Sequence, residues 1–342
     1  MEPSAQKPDS QGPAKVMRTS LRTAIVVSFF CFGLILTAPL AWYNYSRNSE
    51  AALEVAGSLF EQTGTNVSLR TKVLLQPFAF LGDNVHLLPG ADARPSGFFH
   101  PLQRAFQDIL EDNPQIYSVY FGYGDGGFYQ IVSLVGRPKV AVSLGAPAQA
   151  LFAVRSIELR GTARSERWQF LDKNRRELAS SPLRPAQYDP RTRPWFTAAA
   201  RLDGQVRTSP YLFSSTQELG LTVSRRIDVA KIGVAKIDAP RPLVFGMDLT
   251  LESLSRFLAQ EKIGRSGLLL LFDSGGGLIG HSDASRMTIA GRDKDGAPVR
   301  ERASMETLGD PVAKAVYGRF LEAGKAPLPR QLLRVDGVDY LL

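Results

Sequence analysis

The chain has one cysteine, Cys31, and three histidines, His86, His100 and His281, in 342 residues. A lone thiol inside an apolar run excludes an intrachain disulfide and a thiolate metal site. The histidines form no close pair at metal-ligand spacing, and no H-E-x-x-H motif is present, so no metal or other cofactor is expected. Each histidine is expected to be an ordinary surface or hydrogen-bonded one. A G-x-S-x-G elbow is also missing. No combination of nucleophile, base and orienting group stands out, so the chain reads as a binding module rather than an enzyme. Acidic residues are in deficit: 41 Lys and Arg against 33 Asp and Glu leave a formal charge of +8. The basic excess is scattered, without a basic helix or a nucleic-acid module, so nucleic acid is not an expected partner. A basic surface facing an anionic bilayer is the plainer expectation.

One apolar run is present. Thr23 to Tyr43 carries no charge and is long enough to cross a bilayer core of about 30 Å as a helix. Trp42, Tyr43 and Tyr45 close it at interfacial depth. Lys15, Arg18 and Arg22 precede it and only Arg47 follows closely, which predicts a cytoplasmic N-terminus and an exported remainder. The run is longer than a signal-peptide core of about 7–15 residues and no A-x-A site follows cleanly, so an uncleaved anchor is expected over a cleaved signal. Residues 1–16, rich in Pro, Ser, Gln and Lys, read as disordered.

Beyond the span the pattern is helical. Leu53, Phe60, Val67, Leu74 and Leu81 recur every seven residues, with Ala56 and Thr63 between them. Such a stripe suits a helix packed on its own domain, a helix meeting its copy in a dimer, or both. Pro77 is expected to bend or end that helix. Phe99 to Glu111 is amphipathic through Leu102, Phe106, Ile109 and Leu110.

The period then changes. Ile116–Phe121 and Phe128–Val135 read as strands around a glycine-rich turn at Gly122 to Gly127. Further strands are expected at Trp168–Leu171, Leu219–Asp228, Arg241–Asp248 and Leu268–Phe272, with helices at Trp195–Leu202 and Thr250–Ala259. Hairpins outnumber β-α-β units, so the fold class is α+β with antiparallel sheets, in two stacked modules behind one long helix. Gly275-Gly276-Gly277-Leu278-Ile279-Gly280 fits G-x-G-x-x-G, but strand-like residues flank it and no helix starts there, so it reads as a hairpin rather than a nucleotide loop. Gly318 to Lys325 lacks the glycine spacing and the Ser or Thr of a phosphate loop.

Tyr188-Asp189-Pro190-Arg191-Thr192-Arg193-Pro194-Trp195-Phe196 concentrates one carboxylate, two guanidiniums and three aromatic rings in nine residues, with two prolines fixing the backbone. Arg193 offers a planar donor that stays charged. Trp195 and Tyr188 offer apolar walls and a hydroxyl, and the prolines fix the loop. On chemistry alone the run suits either an anion-binding pocket or a structural corner of arginine on aromatic rings. Asp189 and Arg191 are expected to form a local salt bridge or turn.

This run closely resembles the Y-D-P-R-x-R-P-W-Y signature of double Cache sensor domains. Phe245-Gly246-Met247-Asp248-Leu249-Thr250-Leu251 looks like the strand-to-helix segment of that family. Asp273 to His281 is similar to the first hairpin of its membrane-proximal module. The likeness covers residues 50–342. It implies a stalk helix (44–85), a PAS-like membrane-distal Cache module (86–250) and a membrane-proximal one (251–342, C-terminally incomplete). These follow a cytoplasmic tail (1–22) and the span (23–43). The implied function is extracytoplasmic sensing of an amino acid, amine or organic acid by a membrane receptor, with a homodimer as the assembly. The implied ligand-binding residues are Tyr188, Arg193, Trp195, Phe196, Tyr211 and Asp248. The carboxylate goes to Arg193 and Trp195, and the amine to Asp248. Two positions depart from the pattern: Phe196 replaces the final Tyr, and Phe213 stands where some members have an acid.

The tail, span and Gly122–Phe128 segment together resemble class III adenylate/guanylate cyclase receptors with Cache sensors. Chemoreceptors, histidine kinases and diguanylate cyclases are the alternative settings. Arg334 to Leu342 reads as a strand, a turn and the start of another strand, with no second span after it, so a fragment or truncated reading frame is expected.

Overall fold

The computed structural model describes residues 20–228, 242–261, 267–292, 298–329 and 331–341. The expected break at 264–267 lies largely outside them, as does Arg241 at the start of an expected strand. The chain forms two units, residues 1–61 and 62–342.

In the first unit, helix α1 (Leu21–Asn84) begins. One helix among the described residues is long and apolar enough to cross a membrane, and the apolar window is fully exposed. Ile25, Phe29, Phe32 and Leu36 are exposed along this stretch.

The second unit is α+β. In chain order its main sheet contains β1 (Ile116–Tyr123), β2 (Phe128–Ser133), β3 (Phe152–Arg160), β4 (Ala163–Leu171), β5 (Glu177–Ser180) and β6 (Arg184–Pro185). It continues with β7 (Gln205–Arg207), β8 (Tyr211–Leu212), β9 (Leu219–Ile227) and β10 (Leu243–Thr250). The spatial order is β5-β4-β3-β2-β1-β10-β9-β7, with β6 on β4 and β8 on β9. Three hairpins follow: β11 (Leu270–Phe272) with β12 (Leu278–His281), β13 (Thr288–Arg292) with β14 (Pro298–Arg302), and β15 (Leu332–Val335) with β16 (Val338–Leu341). All strand pairs among the described residues are antiparallel. The helices after α1 are α2 (Gln103–Asp112), α3 (Pro138–Leu144), α4 (Pro194–Arg201), α5 (Leu251–Gln260) and α6 (Pro311–Glu322).

Both faces of the main sheet are covered. Val119, Phe121, Ile131, Val154, Phe245 and Met247 form one face and pack with Phe78 of α1 and Phe106 and Leu110 of α2. Tyr120, Phe128 and Val244 form the other and pack with Trp195 and Phe196 of α4. Alternate residues of a strand leave opposite faces, so β1 and β10 are buried along their whole length.

Helix α1 does not end at Pro77. Proline removes one backbone N–H, yet the helix continues through it to Asn84 and packs there on its own domain. Phe78 is fully buried in the core. Gln205 Nε2 donates to the Phe78 carbonyl at 2.9 Å and Gln115 Nε2 to the Leu74 carbonyl at 3.4 Å. In this unit the seven-residue stripe packs on its own domain: Val67 is 6% exposed, and Leu74 and Leu81 are half-buried.

The glycine-rich Gly275–Gly280 segment is a hairpin. Asp273 Oδ1 accepts from the backbone N–H groups of Gly275 (2.9 Å) and Gly277 (3.0 Å), and β12 follows directly. Gly318 lies inside α6. Neither segment forms a phosphate loop.

Candidate ligand pocket on the main sheet

Three adjacent strands place polar residues in one row. In the register of β1, β10 and β9, Ser118 lies opposite Asp248 and Asp248 opposite Thr222. Cross-strand neighbours share a face, so the three side chains meet. Asp248 is 4% exposed. Its Oδ2 accepts from Ser118 Oγ at 2.8 Å; its Oδ1 accepts from Tyr120 Oη at 2.7 Å and Thr222 Oγ1 at 2.6 Å. Tyr211 Oη donates to Thr222 Oγ1 at 2.6 Å, because the Thr222 proton is used on Asp248. No cation pairs with Asp248 among the described residues. Burial pushes its pKa up to about 6, against the pull of the three hydroxyls.

Gly246 makes this arrangement accessible to Tyr120. A Cβ there would enter the Tyr120 ring, and Tyr120 lies opposite Gly246 in the ladder. Gly122 has a similar role toward α4, since a Cβ would collide with the Trp195 and Phe196 rings.

The signature run caps the pocket. Asp189 accepts from the Arg191 backbone N–H at 3.0 Å and from its guanidinium at 2.9 and 2.7 Å, and it lies 3.4 Å from Arg164. This fixes the short turn Pro190–Thr192. Asp189 and Arg191 therefore form the structural salt bridge expected of them. Arg193 is the half-exposed residue before α4, and Pro194 begins that helix. Its guanidinium donates to the Leu212 carbonyl at 3.2 Å and stands over the rings of Tyr188 (5.9 Å) and Tyr211 (5.6 Å). No carboxylate pairs with it among the described residues. Trp195 is buried; its Nε1 donates to Tyr188 Oη at 3.3 Å and its carbonyl accepts from Ser224 Oγ at 2.9 Å. Burial raises the pKa values of Tyr188 and Tyr120, so both phenols stay protonated.

Tyr188, Arg193, Trp195, Tyr211 and Asp248 line one cavity of about 20 Å³, enough for one water. Phe196 does not line it. The ring is buried behind Trp195, edge-on at a centroid distance of 5.5 Å. Three further residues were not anticipated. Arg155 is buried, pairs with Glu166 at 3.0 Å, donates to Ser215 Oγ at 3.1 Å and lies 4.6 Å from the Tyr188 ring centre. Tyr120 is a direct donor to Asp248. Gln130 Nε2 donates to Ser118 Oγ at 3.0 Å, while its buried Oε1 has no partner among the described residues. All three line the cavity.

Among the described residues no group of three or more His, Cys, Asp or Glu is placed to hold a metal. His100 is buried, stacked 4.9 Å from Tyr129 and 5.2 Å from Phe121, with its pKa lowered to about 4 by burial.

No family model matches the chain. Its sequence is 27% identical to Adenylate cyclase 1 of Rhizobium meliloti over 350 residues, covering 96% of this chain and 50% of the cyclase. It is 31% identical to the methyl-accepting chemotaxis protein PscA of Pseudomonas syringae over 101 residues, 30% of this chain and 15% of that protein. Among solved structures, the sensory domain of the Campylobacter jejuni chemoreceptor Tlp3 covers 85% of this chain and 87% of its own, at 14% identity and a TM-score of 0.47. The matches to the cyclase and the chemotaxis protein bear out the resemblance to a receptor sensor. The class is a sensory module of a membrane signalling receptor. The chain spans about half the length of the cyclase it matches.

Proposed function

We propose that the chain senses a small zwitterion outside the cytoplasm and, within a longer protein, controls a nucleotide cyclase. One observation carries the ligand reading. A guanidinium without a carboxylate and a carboxylate without a cation, Arg193 and Asp248, line the same cavity. A ligand with a carboxylate at one end and an ammonium at the other satisfies both. Gln130 Oε1 supplies a second acceptor for the ammonium. Tyr188, Trp195 and Tyr211 wall the space between. Since the cavity holds about one water, binding of a molecule the size of an amino acid displaces part of this wall. The wall includes Phe213 to Thr216 and Arg193, which are tied together through the Leu212 carbonyl.

The cyclase reading rests on the relative matched along nearly the whole chain. A chemoreceptor output is the second reading, favoured by the chemotaxis proteins matched over about a third of the chain. The cation excess before the span supports a cytoplasmic N-terminus. In this reading catalysis belongs to the output domain of the parent protein and not to this chain.

The partner in assembly is a second copy. Leu69, Val73 and Phe80 are 58%, 57% and 66% exposed on α1. With Gln76 they follow a spacing of four, three and four residues, a seam suited to helix pairing. This stripe is not the Val67–Leu74–Leu81 one, which faces inward.

Thermal-shift screening of the full chain against amino acids, amines and organic acids tests the ligand reading. A zwitterion that raises the melting temperature of the native chain and not of Arg193→Ala supports it. A ligand whose shift survives Arg193→Ala removes the assignment.

A further inference from the structure

A second cavity, of about 430 Å³, lies on the opposite face of β9 and β10 from the Asp248 pocket. Its size falls within the roughly 300–1,000 Å³ typical of small-ligand sites. Leu221, Val223 and Leu249 form its sheet wall, Phe78 of α1 a second, and Ile279 of the β11–β12 hairpin a third. These sheet residues flank Thr222 and Asp248 along the same strands, so the two cavities stand back to back.

The polar groups on its rim differ in what they have left to offer. The Asp273 carboxylate is occupied by two turn N–H groups and by Arg302 at 2.8 Å. The Thr208 hydroxyl accepts from the Thr222 N–H at 2.9 Å, and the Thr71 hydroxyl donates to the Val67 carbonyl at 2.7 Å. Arg207 has no side-chain partner among the described residues. It lies opposite Val223 in the β7–β9 ladder, so its side chain leaves the sheet on the cavity face. One uncompensated cation thus borders an apolar chamber.

We propose that this chamber is a second ligand site, separate from the Asp248 pocket, for a small amphipathic carboxylate. The apolar body of the ligand lies among the half-buried Leu75, Leu221 and Ile279, and its carboxylate pairs with the Arg207 guanidinium. Burial of a hydrocarbon body supplies the affinity, and the charge-assisted pair selects an acid over its neutral counterpart.

The probe is octanoate carrying a diazirine near its methyl end, with the full chain in lipid nanodiscs and labelled peptides mapped by mass spectrometry. The expected result is saturable labelling within residues 71–78, 249–254 or 271–279, displaced by plain octanoate and about tenfold less well by octanol. Arg207→Gln, an exposed position, is expected to weaken labelling about tenfold, and Arg193→Ala to leave it unchanged. Labelling confined to Thr23–Tyr43, equal competition by octanol, or an unaltered Arg207→Gln variant overturns the proposal.

Discussion

Burial, against the opposing pull of three hydroxyls, sets the titration of the Asp248 carboxylate. A raised native pKa means that the folded chain binds the proton more tightly than the unfolded chain does. The associated stability is fully present below the unfolded value near 3.8 and is lost as pH rises through about 6. His100 acts with the opposite sign: its lowered pKa costs stability as pH falls below about 6.5 toward 4. Comparison with Asp248→Asn cancels the His100 contribution. The variant is expected to gain melting temperature over the native chain at pH 7 and little at pH 4, and differential scanning fluorimetry reads this difference. An equal gain at both pH values contradicts it. Ligand affinity through an ammonium group is expected to rise between pH 5 and 7 as Asp248 ionises. Gly246→Ala drives a methyl into the Tyr120 ring. A loss of about 1–3 kcal/mol in urea unfolding is expected, with weaker ligand binding because Tyr120 is moved from Asp248.

At the scale of elements, sequence periodicity was readable where one face met water and opaque where neither did. The β1 and β2 runs stood out as strands. Burial on both faces left no sign that Ser118, Tyr120 and Gln130 point at the site while Val119 and Ile131 face α1. Arg155 belongs to β3, which was not anticipated because Phe152–Arg160 shows no clean alternation, and its role depends on Tyr188, 33 positions later. Phe196 stood in the signature run, but it follows Trp195 on a helix and so points to a different side. Pro77 was expected to bend or end α1 because its local cost is visible in sequence, while the burial of Phe78 in the core beside it is not. On α1, the exposed stripe predicts a dimer. Val73→Glu is expected to shift the full chain from dimer to monomer in light scattering while leaving zwitterion binding in place. A monomeric native chain contradicts this seam.

For the whole molecule, the main sheet separates two cavities and packs against the part of α1 that belongs to the second unit. Its central strands carry the Asp248 row on one face and bury Phe245 and Met247 against α1 and α2 on the other. A shift of β9 or β10 therefore reaches both faces, a property of close-packed interiors. The Tyr188–Phe196 run carried most of the resemblance to a sensor, beside Phe245–Leu251 and Asp273–His281, because its spacing is set by one turn and one helix start. Under the proposed cyclase reading, ligand binding changes cyclic-nucleotide production by the parent protein; a change in methyl-accepting output instead would favour the chemoreceptor reading.

The central claim is that Arg193 and Asp248 read opposite ends of one ligand. Calorimetric titration of the full chain with an amino acid, its decarboxylated amine and its deaminated acid tests this most directly. The native chain is predicted to prefer the amino acid to either fragment. Arg193→Ala should abolish the preference over the amine, and Asp248→Asn the preference over the acid, each by about 1.5–3 kcal/mol, or roughly 10- to 100-fold. Equal losses for all three ligands in both variants, or none, would contradict the account.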